Sequence, residues 1–340
     1  MKLLTTLAAA TALTPAMTLA EPNIAMSDYT YQAKHHGSEV PAVIWYPSTS
    51  GGDTTRVAEN AVFYGIDART DGTLADGEKL PVVLLSHGLG GNWRSMTWLA
   101  GDLAAQGALV ISLNHPASST FDFDMRRGLK HWTRARDMSR ALDKLLDDPM
   151  FAGRIDTSRI MAAGFSYGGW TALSLGGVTA NLAGEIAECE IQQDASSHCA
   201  DLRKAGVSFD QMDADMWDAS YKDARITHVA AMDPALHHGF TAKNVADLDT
   251  DTLLIGLGEG EDRLIATDFD ASGLTDLLKE AEVVRIAPAF HFSLLPLCKP
   301  AGAAILKDEN DDPVCTDPEG ADRAAIHSQV IALISTQLDL

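Results

Sequence analysis

The sequence is poor in basic residues and, beyond its N-terminus, has no long apolar run. Its 340 residues include 26 Lys and Arg against 47 Asp and Glu, a formal net charge of −21. Binding to nucleic-acid phosphates needs a basic face, so the composition predicts no nucleic-acid partner. An anionic membrane surface would also repel the chain. No later run approaches the ~20 apolar residues of a membrane-spanning helix, and we expect no transmembrane segment.

Residues 1–20 have the pattern of a signal peptide. Lys2 precedes the apolar run Leu3–Leu13, and Thr18-Leu19-Ala20 ends the segment in small residues. A positive start, a short apolar centre and a small-residue cleavage site are typical of exported proteins. The sequence therefore predicts a periplasmic or secreted protein whose mature chain is residues 21–340.

Cysteine is scarce, with four residues that form two sequence-local pairs. An even number of cysteines in an exported chain indicates disulfides, and Cys189–Cys199 with Cys298–Cys315 is the favoured of three pairings. The spacing has no CxxC pattern that would indicate zinc. We expect no metal and no cofactor, and nothing in the sequence indicates an oligomeric state.

Apolar runs and amphipathic stretches alternate along most of the chain. A hairpin is expected over 29–46, with its turn at His36-Gly37-Ser38, followed by a polar surface loop at 48–79. Buried strands are expected at 80–85, 108–113, 160–163, 226–232, 251–257 and 282–287, and helices at 95–106, 131–147, about 273–280 and from Glu319 onward. This alternation predicts an α/β fold with a mostly parallel central sheet and helices on both faces.

Residues 181–225 interrupt the alternation. They contain ten acids and four bases, the first cysteine pair, and Met212, Met216 and Trp217 among polar residues. The segment lies between one strand–helix unit and the next strand, where an insertion over the open end of the sheet is geometrically easy. We therefore expect a single domain, 21–340, that carries a cap at about 181–225.

The strongest chemical motif is Gly164-Phe165-Ser166-Tyr167-Gly168-Gly169, which is a GxSxG sequence between a predicted strand and a predicted helix. A sharp strand-to-helix turn of this kind exposes a nucleophilic serine, and its crowded flanks accept only glycine. The helix that follows aims free N–H groups and a positive dipole at the same point. Ser166 is the predicted nucleophile.

A second donor for a reacting carbonyl oxygen is expected from the loop Ser86-His87-Gly88-Leu89-Gly90-Gly91, which follows the first buried strand. Its glycines permit a close approach of the backbone, so the N–H of Leu89 can face the N–H of Tyr167. The two would form an oxyanion hole. His87 is expected to orient this loop and not to serve as the base.

The base should lie downstream of the serine, because such hydrolases run Ser, acid, His in chain order. His291 is best placed, since it lies in a loop between the last strand and the last helix; His237 and His238 come next, and His35 and His36 lie in the hairpin.

Two positions are open for the acid. Asp233 ends one predicted strand, and Glu261 or Asp262 follows the next. Either position can reach a histidine at the carboxyl edge of the sheet, where the acid would fix the imidazole tautomer.

Four segments carry a resemblance to a known group: Ser86–Gly90, Gly164–Gly169, Met232-Asp233-Pro234-Ala235-Leu236 and His291-Phe292. They are similar to the corresponding segments of the platelet-activating-factor acetylhydrolase and predicted dienelactone hydrolase group of α/β-hydrolases, over residues 80–335. The resemblance implies the α/β-hydrolase fold and Asp233 as the acid. The cap is longer than in the acetylhydrolases, and the nucleophile is serine where true dienelactone hydrolases use cysteine, so the substrate does not follow from the resemblance.

These observations predict an exported serine hydrolase of carboxylic esters that acts through an acyl-enzyme on a small-molecule or lipid ester. An acetylhydrolase of phospholipase A2 type and a polyester hydrolase are both compatible with this interpretation. Alternative hypotheses are a non-catalytic binding protein of the cell envelope and a peptidase or thioesterase on the same fold. Trp93, Met96, Trp170 and Phe292 flank the motifs and are predicted to line the substrate pocket.

Overall fold

A computed structural model describes residues 23–340, and the predicted signal peptide lies outside the described residues. This range contains ten strands: β1 (Ile24–Ala33), β2 (Ser38–Pro47), β3 (Asp53–Val57), β4 (Ile66–Thr70), β5 (Leu80–Ser86), β6 (Leu109–Leu113), β7 (Ile155–Phe165), β8 (His228–Met232), β9 (Asp251–Leu257) and β10 (Glu282–Ile286). Its ten α-helices are α1 (Thr97–Ala105), α2 (Met125–Gly128), α3 (His131–Leu146), α4 (Tyr167–Gly176), α5 (Leu182–Gln192), α6 (Ser197–Lys204), α7 (Ala214–Trp217), α8 (Leu274–Leu277), α9 (Gly302–Glu309) and α10 (Arg323–Gln337). None of these helices is long and apolar enough to cross a bilayer.

The ten strands form one sheet in the order β10-β9-β8-β7-β5-β6-β2-β1-β4-β3. The six strands from β10 to β6 are parallel, and β2 adds to β6 in the antiparallel direction. The predicted mostly parallel sheet is confirmed. Because parallel strands end at a common edge, the loops after β5, β7, β8 and β10 meet at one side of the molecule.

Two apolar cores cover the two faces of the sheet, as the continuous apolar run of β5 predicts. Val82 and Leu84 pack on one face with α3 and α4, while Val83 and Leu85 pack on the other with α1 and α10. Successive side chains of a strand point to opposite faces, so a strand buried on both sides needs apolar residues throughout.

The prediction of a loop at 48–79 was wrong in part, because β3 and β4 lie in it. The sequence of β3, Asp-Thr-Thr-Arg-Val, is exposed except at Val57. The two strands extend the sheet at its edge beyond β1. An edge pair with a polar composition has no hydrophobic alternation, which explains why the pattern indicated a loop. The helix predicted near 273–280 is only the single turn α8.

Residues 181–225 fold as α5, α6, α7 and their connections between α4 and β8. The structure contains both predicted disulfides, and Cys189–Cys199 joins α5 to α6.

Candidate active site

Ser166 lies at the bend between β7 and α4. Its backbone has φ 57° and ψ −119°, a conformation that L-residues rarely adopt and that the surrounding packing must hold in place. The flanking glycines make the bend possible. A Cβ on Gly164 would overlap the carbonyl of Gly168, and one on Gly168 would overlap the carbonyl of Ser86.

Ser166, His291 and Asp233 form a continuous hydrogen-bonded chain. The hydroxyl of Ser166 lies 3.1 Å from Nε2 of His291, and Nδ1 of His291 lies 2.6 Å from Oδ2 of Asp233. All three residues are buried. A carboxylate can only accept, so His291 donates its Nδ1 proton to Asp233 and leaves Nε2 free to accept the proton of Ser166.

Asp233 is fully buried, and each of its carboxylate oxygens has partners besides His291. Oδ1 accepts from the backbone N–H of Leu257 at 3.0 Å and from Arg263 at 2.5 Å, and Oδ2 accepts from the hydroxyl of Thr267 at 2.8 Å. Burial raises the pKa of Asp233, but the hydrogen bond from His291 and the charges of His291 and Arg263 together bring it below its ordinary value. The carboxylate therefore stays ionised beside the imidazole.

The alternative acids Glu261 and Asp262 lie on an exposed turn after β9. This turn instead leads to Arg263, whose guanidinium holds Asp233. Sequence reasoning considered the turn only for its acids and missed both Arg263 and Thr267. The one available signal was a single basic residue directly after an acidic run.

The loop after β5 packs directly against the serine. A Cβ on Gly88 would lie 3.3 Å from the Cβ of Ser166. The N–H of Leu89 has no acceptor among the hydrogen bonds of residues 23–340. Tyr167 begins α4, so its N–H is one of the donors that an α-helix leaves unpaired in its first turn. Leu89 lines the cleft that contains Ser166, and Tyr167 follows Ser166 directly in the chain.

Arg134 of α3, which the sequence analysis did not identify, holds the loop after β5 through hydrogen bonds to Ser86 and His87. Its fully buried guanidinium donates to the hydroxyls of Ser86 and Ser118 and to the carbonyl of His87. His87 accepts the backbone N–H of His115 at 3.1 Å, and its Nδ1 is 2.7 Å from the carbonyl oxygen of Gly88. Burial and the charge of Arg134 hold the pKa of His87 well below its ordinary value, so His87 is a neutral support of the loop.

Leu89 lines two spaces, and Ser166 lines the larger of them. An open cleft of about 520 Å³ contains Ser166 and His291, and its walls include Arg94, Phe121 and Phe292. A narrow apolar pocket of about 40 Å³ is lined by Leu89 and Tyr167, and its walls do not include Ser166 or His291. Residues 181–225 supply four of its ten walls, and the full set is Leu89, Met125, Leu129, Tyr167, His198, Asp201, Leu202, Phe209, Ala235 and Leu236.

Three of the predicted pocket residues lie elsewhere. Trp170 is fully buried on α4 and contacts His131 and Phe240, because its face of the helix packs on α3 and on the segment that follows β8. Met96 belongs to the core below α1. Trp93 packs against Trp45 and the guanidinium of Arg94, behind the cleft wall. Among the four, only Phe292 lines the cleft.

The other histidines considered from sequence do not contact Ser166. His238 bonds to Glu185 of α5, and the buried His237 has no hydrogen-bond partner among the described residues. His35 and His36 lie in the β1–β2 turn against Asp137 of α3.

Comparison with known sequences shows similarity to ester-cleaving proteins. The family model of platelet-activating factor acetylhydrolase, isoform II, matches residues 56–128. Cutinase cut1 of Thermobifida fusca is 30% identical over 175 residues, 50% of this chain and 50% of the cutinase. Cutinase 2 of Thermobifida cellulosilytica is 31% identical over 122 residues, 34% of this chain and 43% of that protein. The chain thus spans about half the length of the curated relatives it matches, or less.

Solved structures show similarity over most of the chain. A ferulic acid esterase from Streptomyces cinnamoneus superposes with a TM-score of 0.59 at 17% identity, covering 95% of this chain and 91% of the esterase. A dienelactone hydrolase-like promiscuous phosphotriesterase from metagenomic libraries superposes with a TM-score of 0.51 at 14% identity, covering 92% of this chain and 99% of the phosphotriesterase. Together with the parallel sheet and the bend at Ser166, these similarities show an α/β-hydrolase fold.

Proposed function

We propose that this protein is an exported serine hydrolase of carboxylic esters. The observation that carries the proposal is the hydrogen-bonded chain from Ser166 through His291 to Asp233. The similarity to cutinases and to a ferulic acid esterase supports an ester as the substrate. The two disulfides support export, because such bonds persist in oxidising compartments.

In the proposed reaction, Nε2 of His291 removes the hydroxyl proton of Ser166 as Oγ attacks the ester carbonyl. The backbone N–H groups of Leu89 and Tyr167 stabilise the tetrahedral oxyanion, and Asp233 stabilises the imidazolium that forms. His291 then gives the proton to the leaving alcohol. Water, deprotonated by the same imidazole, hydrolyses the acyl-enzyme and regenerates Ser166.

The cleft that contains Ser166 and the narrow pocket lined by Leu89 and Tyr167 suggest how the ester is placed. The narrow pocket, at about 40 Å³, is much smaller than the cleft, so of the two spaces it suits the shorter group, the acyl chain. The cleft of about 520 Å³ is open and lined by aromatic rings, which suits a bulkier alcohol group. We propose short-chain acyl esters of larger alcohols as the substrate class.

A fluorophosphonate probe tests the nucleophile, because it labels an activated serine and leaves an ordinary hydroxyl unmodified. We expect one labelled site, at Ser166. Ser166→Ala should abolish labelling and lower turnover of nitrophenyl acetate by about 10⁴-fold or more. Ser220→Ala, which changes an exposed cap serine, is the matched control and should leave both unchanged.

A folded protein that takes no label at Ser166 and hydrolyses no ester would contradict the proposal. That result would favour the non-catalytic binding protein. A labelled serine together with faster cleavage of peptides or thioesters than of oxygen esters would keep the nucleophile and overturn the ester as substrate.

A further inference from the structure

The β1–β2 turn places two imidazoles against one buried carboxylate of α3, away from Ser166. Nε2 of His35 lies 2.8 Å and Nε2 of His36 lies 2.9 Å from the same oxygen, Oδ1 of Asp137. The three nitrogen and oxygen atoms all lie within 4.8 Å of one another. Asp137 is fully buried, and the two imidazoles are only 14% and 12% exposed.

The backbone fixes the two rings in this arrangement. The N–H groups of His36 and Gly37 both donate to the carbonyl of Ala33, at 2.9 and 3.1 Å, which closes a tight turn. Gly37 has φ +73°, a conformation that glycine adopts without strain. Adjacent histidines in a closed turn thus direct both Nε2 atoms inward and not to solvent.

The other oxygen of Asp137 is held by a second set of hydrogen bonds. Arg134 donates to the hydroxyl of Ser86, that hydroxyl is 2.9 Å from Nε2 of His115, and Nδ1 of His115 is 3.0 Å from Oδ2 of Asp137. Because Arg134 can only donate, the Ser86 proton is free to point to Nε2, and His115 donates its Nδ1 proton to Asp137.

We propose that His35, His36 and Asp137 bind one divalent cation of the zinc class. Two imidazoles and one carboxylate are a ligand set that Zn²⁺ and its neighbours among the transition metals prefer, whereas Ca²⁺ and Mg²⁺ prefer oxygen ligands. Zn–N and Zn–O bonds of about 2.0–2.2 Å set tetrahedral ligand atoms roughly 3.3 Å apart. The two nitrogens, at 2.8 and 2.9 Å, lie about half an ångström closer to Oδ1 than that spacing, and all three ligand atoms are already within 4.8 Å of one another. The partial exposure of the rings leaves the remaining coordination to water.

The hydrogen bond from His115 to Oδ2 fits this assignment. Metal-binding carboxylates are themselves held by hydrogen bonds, which fix the orientation of the ligand oxygen. Oδ1 then faces the two imidazoles with its lone pairs. A bound cation would tie the N-terminal hairpin to α3, so it should stabilise the folded chain by mass action. The site does not include Ser166 or His291, and the inference holds whether or not the protein cleaves esters.

The test is direct metal binding by the full chain. The purified protein is stripped with a chelator, dialysed and titrated with Zn²⁺ by calorimetry, with thermal unfolding followed in parallel. We expect one Zn²⁺ per chain and a rise in Tm. His35→Gln and His36→Gln keep an amide that can donate to Asp137 but lose a strong ligand, so each should weaken binding by about 100-fold or more. His228→Gln, which removes an imidazole at the far end of β8, should bind like the parent protein.

X-ray absorption of the Zn²⁺-loaded parent protein gives a readout that does not depend on whether the variants fold. It should count two imidazoles and at least one oxygen at about 2.0–2.2 Å from the metal. Absence of saturable binding would overturn the inference, and so would stoichiometric binding that survives both histidine substitutions.

Discussion

Nδ1 of His291 lies 2.6 Å from a carboxylate that follows β8, Asp233, and not from one that follows β9. At this position after β8 the backbone of Asp233 adopts an unusual conformation. Asp233 has φ 46°, outside the range that most residues prefer, and Pro234 follows it directly. Its N–H donates to the carbonyl of Ile255 in β9, so the sheet itself holds the bend. The carboxylate is thereby turned toward the histidine loop.

Removing the charge of Asp233 should therefore disable the proposed reaction. In Asp233→Asn an amide replaces the acceptor of the Nδ1 proton, which favours the wrong imidazole tautomer. We expect kcat for nitrophenyl acetate to fall by about 10³-fold to 10⁴-fold with little change in KM. Steady-state kinetics on the purified variant measure this effect.

Glu261→Gln is the matched control, because it makes the same carboxylate-to-amide change on the exposed turn after β9. It should retain the kcat of the parent protein. The reverse result, with Glu261→Gln inactive and Asp233→Asn active, would assign the acid to the later strand.

The sequence predicted the parts of the candidate site that depend on local backbone geometry. The segment around Ser166 needs glycines at fixed positions, and a loop rich in glycine after a buried strand indicates a close approach of the backbone. Arg134 and Arg263 could not be found in this way. Arg134 reaches Ser86 from 48 positions away and Arg263 reaches Asp233 from 30 positions away, and neither arginine lies in a motif.

The same distinction explains the errors. Trp170 was expected at the pocket because it follows the motif, but which face of α4 meets the cleft depends on how α3 packs against it. The strands β3 and β4 were missed because most of their side chains are polar. Their pairing depends on the free edge of β1, which their own sequence does not indicate.

Adding a methyl group at Gly168 should prevent the bend at Ser166 from forming. A Cβ there would meet the backbone of β5, at 2.6 Å from the carbonyl carbon of Ser86 and 2.8 Å from the carbonyl oxygen of His87. Backbone atoms of a central strand cannot move aside easily. We expect Gly168→Ala to lose about 3 kcal/mol or more of unfolding free energy, at the upper end of overpacking effects. Urea unfolding followed by circular dichroism measures the loss.

Gly153→Ala is the comparison for this substitution, because a Cβ at Gly153 meets no atom within 4 Å. It should be neutral or slightly stabilising. A Gly168→Ala protein as stable as the Gly153→Ala protein would show that β5 and α4 do not approach as closely as the structure has them.

The narrow pocket should set the length of the acyl chain. Met125, partly exposed, forms one wall, and Met125→Ala should make room for additional methylene groups at little cost in stability. We expect kcat/KM for nitrophenyl butyrate relative to acetate to rise by about 10-fold, the effect of a methylene in an apolar pocket. Met150→Ala, an exposed methionine that does not line the pocket, should leave the ratio unchanged. An unchanged ratio in Met125→Ala would place the acyl group in the open cleft.

His131 should make the fold sensitive to mild acid. Its ring lies edge-on to Trp170 and Trp217, and its Nε2 is 3.0 Å from the carbonyl oxygen of Trp217. Burial lowers the pKa of His131 from 6.5 to about 3, against a smaller opposite effect of that hydrogen bond. The folded state therefore keeps a neutral ring while the unfolded chain takes up a proton below pH 6.5. This contribution to stability is complete above pH 6.5 and declines by up to about 1.4 kcal/mol per pH unit as the pH falls toward 3.

His131→Gln keeps a donor for the Trp217 carbonyl but cannot titrate, so its unfolding free energy should fall less steeply between pH 6.5 and pH 4.5 than that of the parent protein. Other buried histidines contribute equally to both proteins and cancel in the difference. Phe240→Leu is the control, since it disturbs packing around Trp170 without removing a titrating group and should lower stability equally at each pH. Urea unfolding at several pH values gives the slopes. Parallel curves for the parent protein and His131→Gln would mean that the ring titrates alike in the folded and unfolded chain, and that burial among the tryptophans does not hold it neutral.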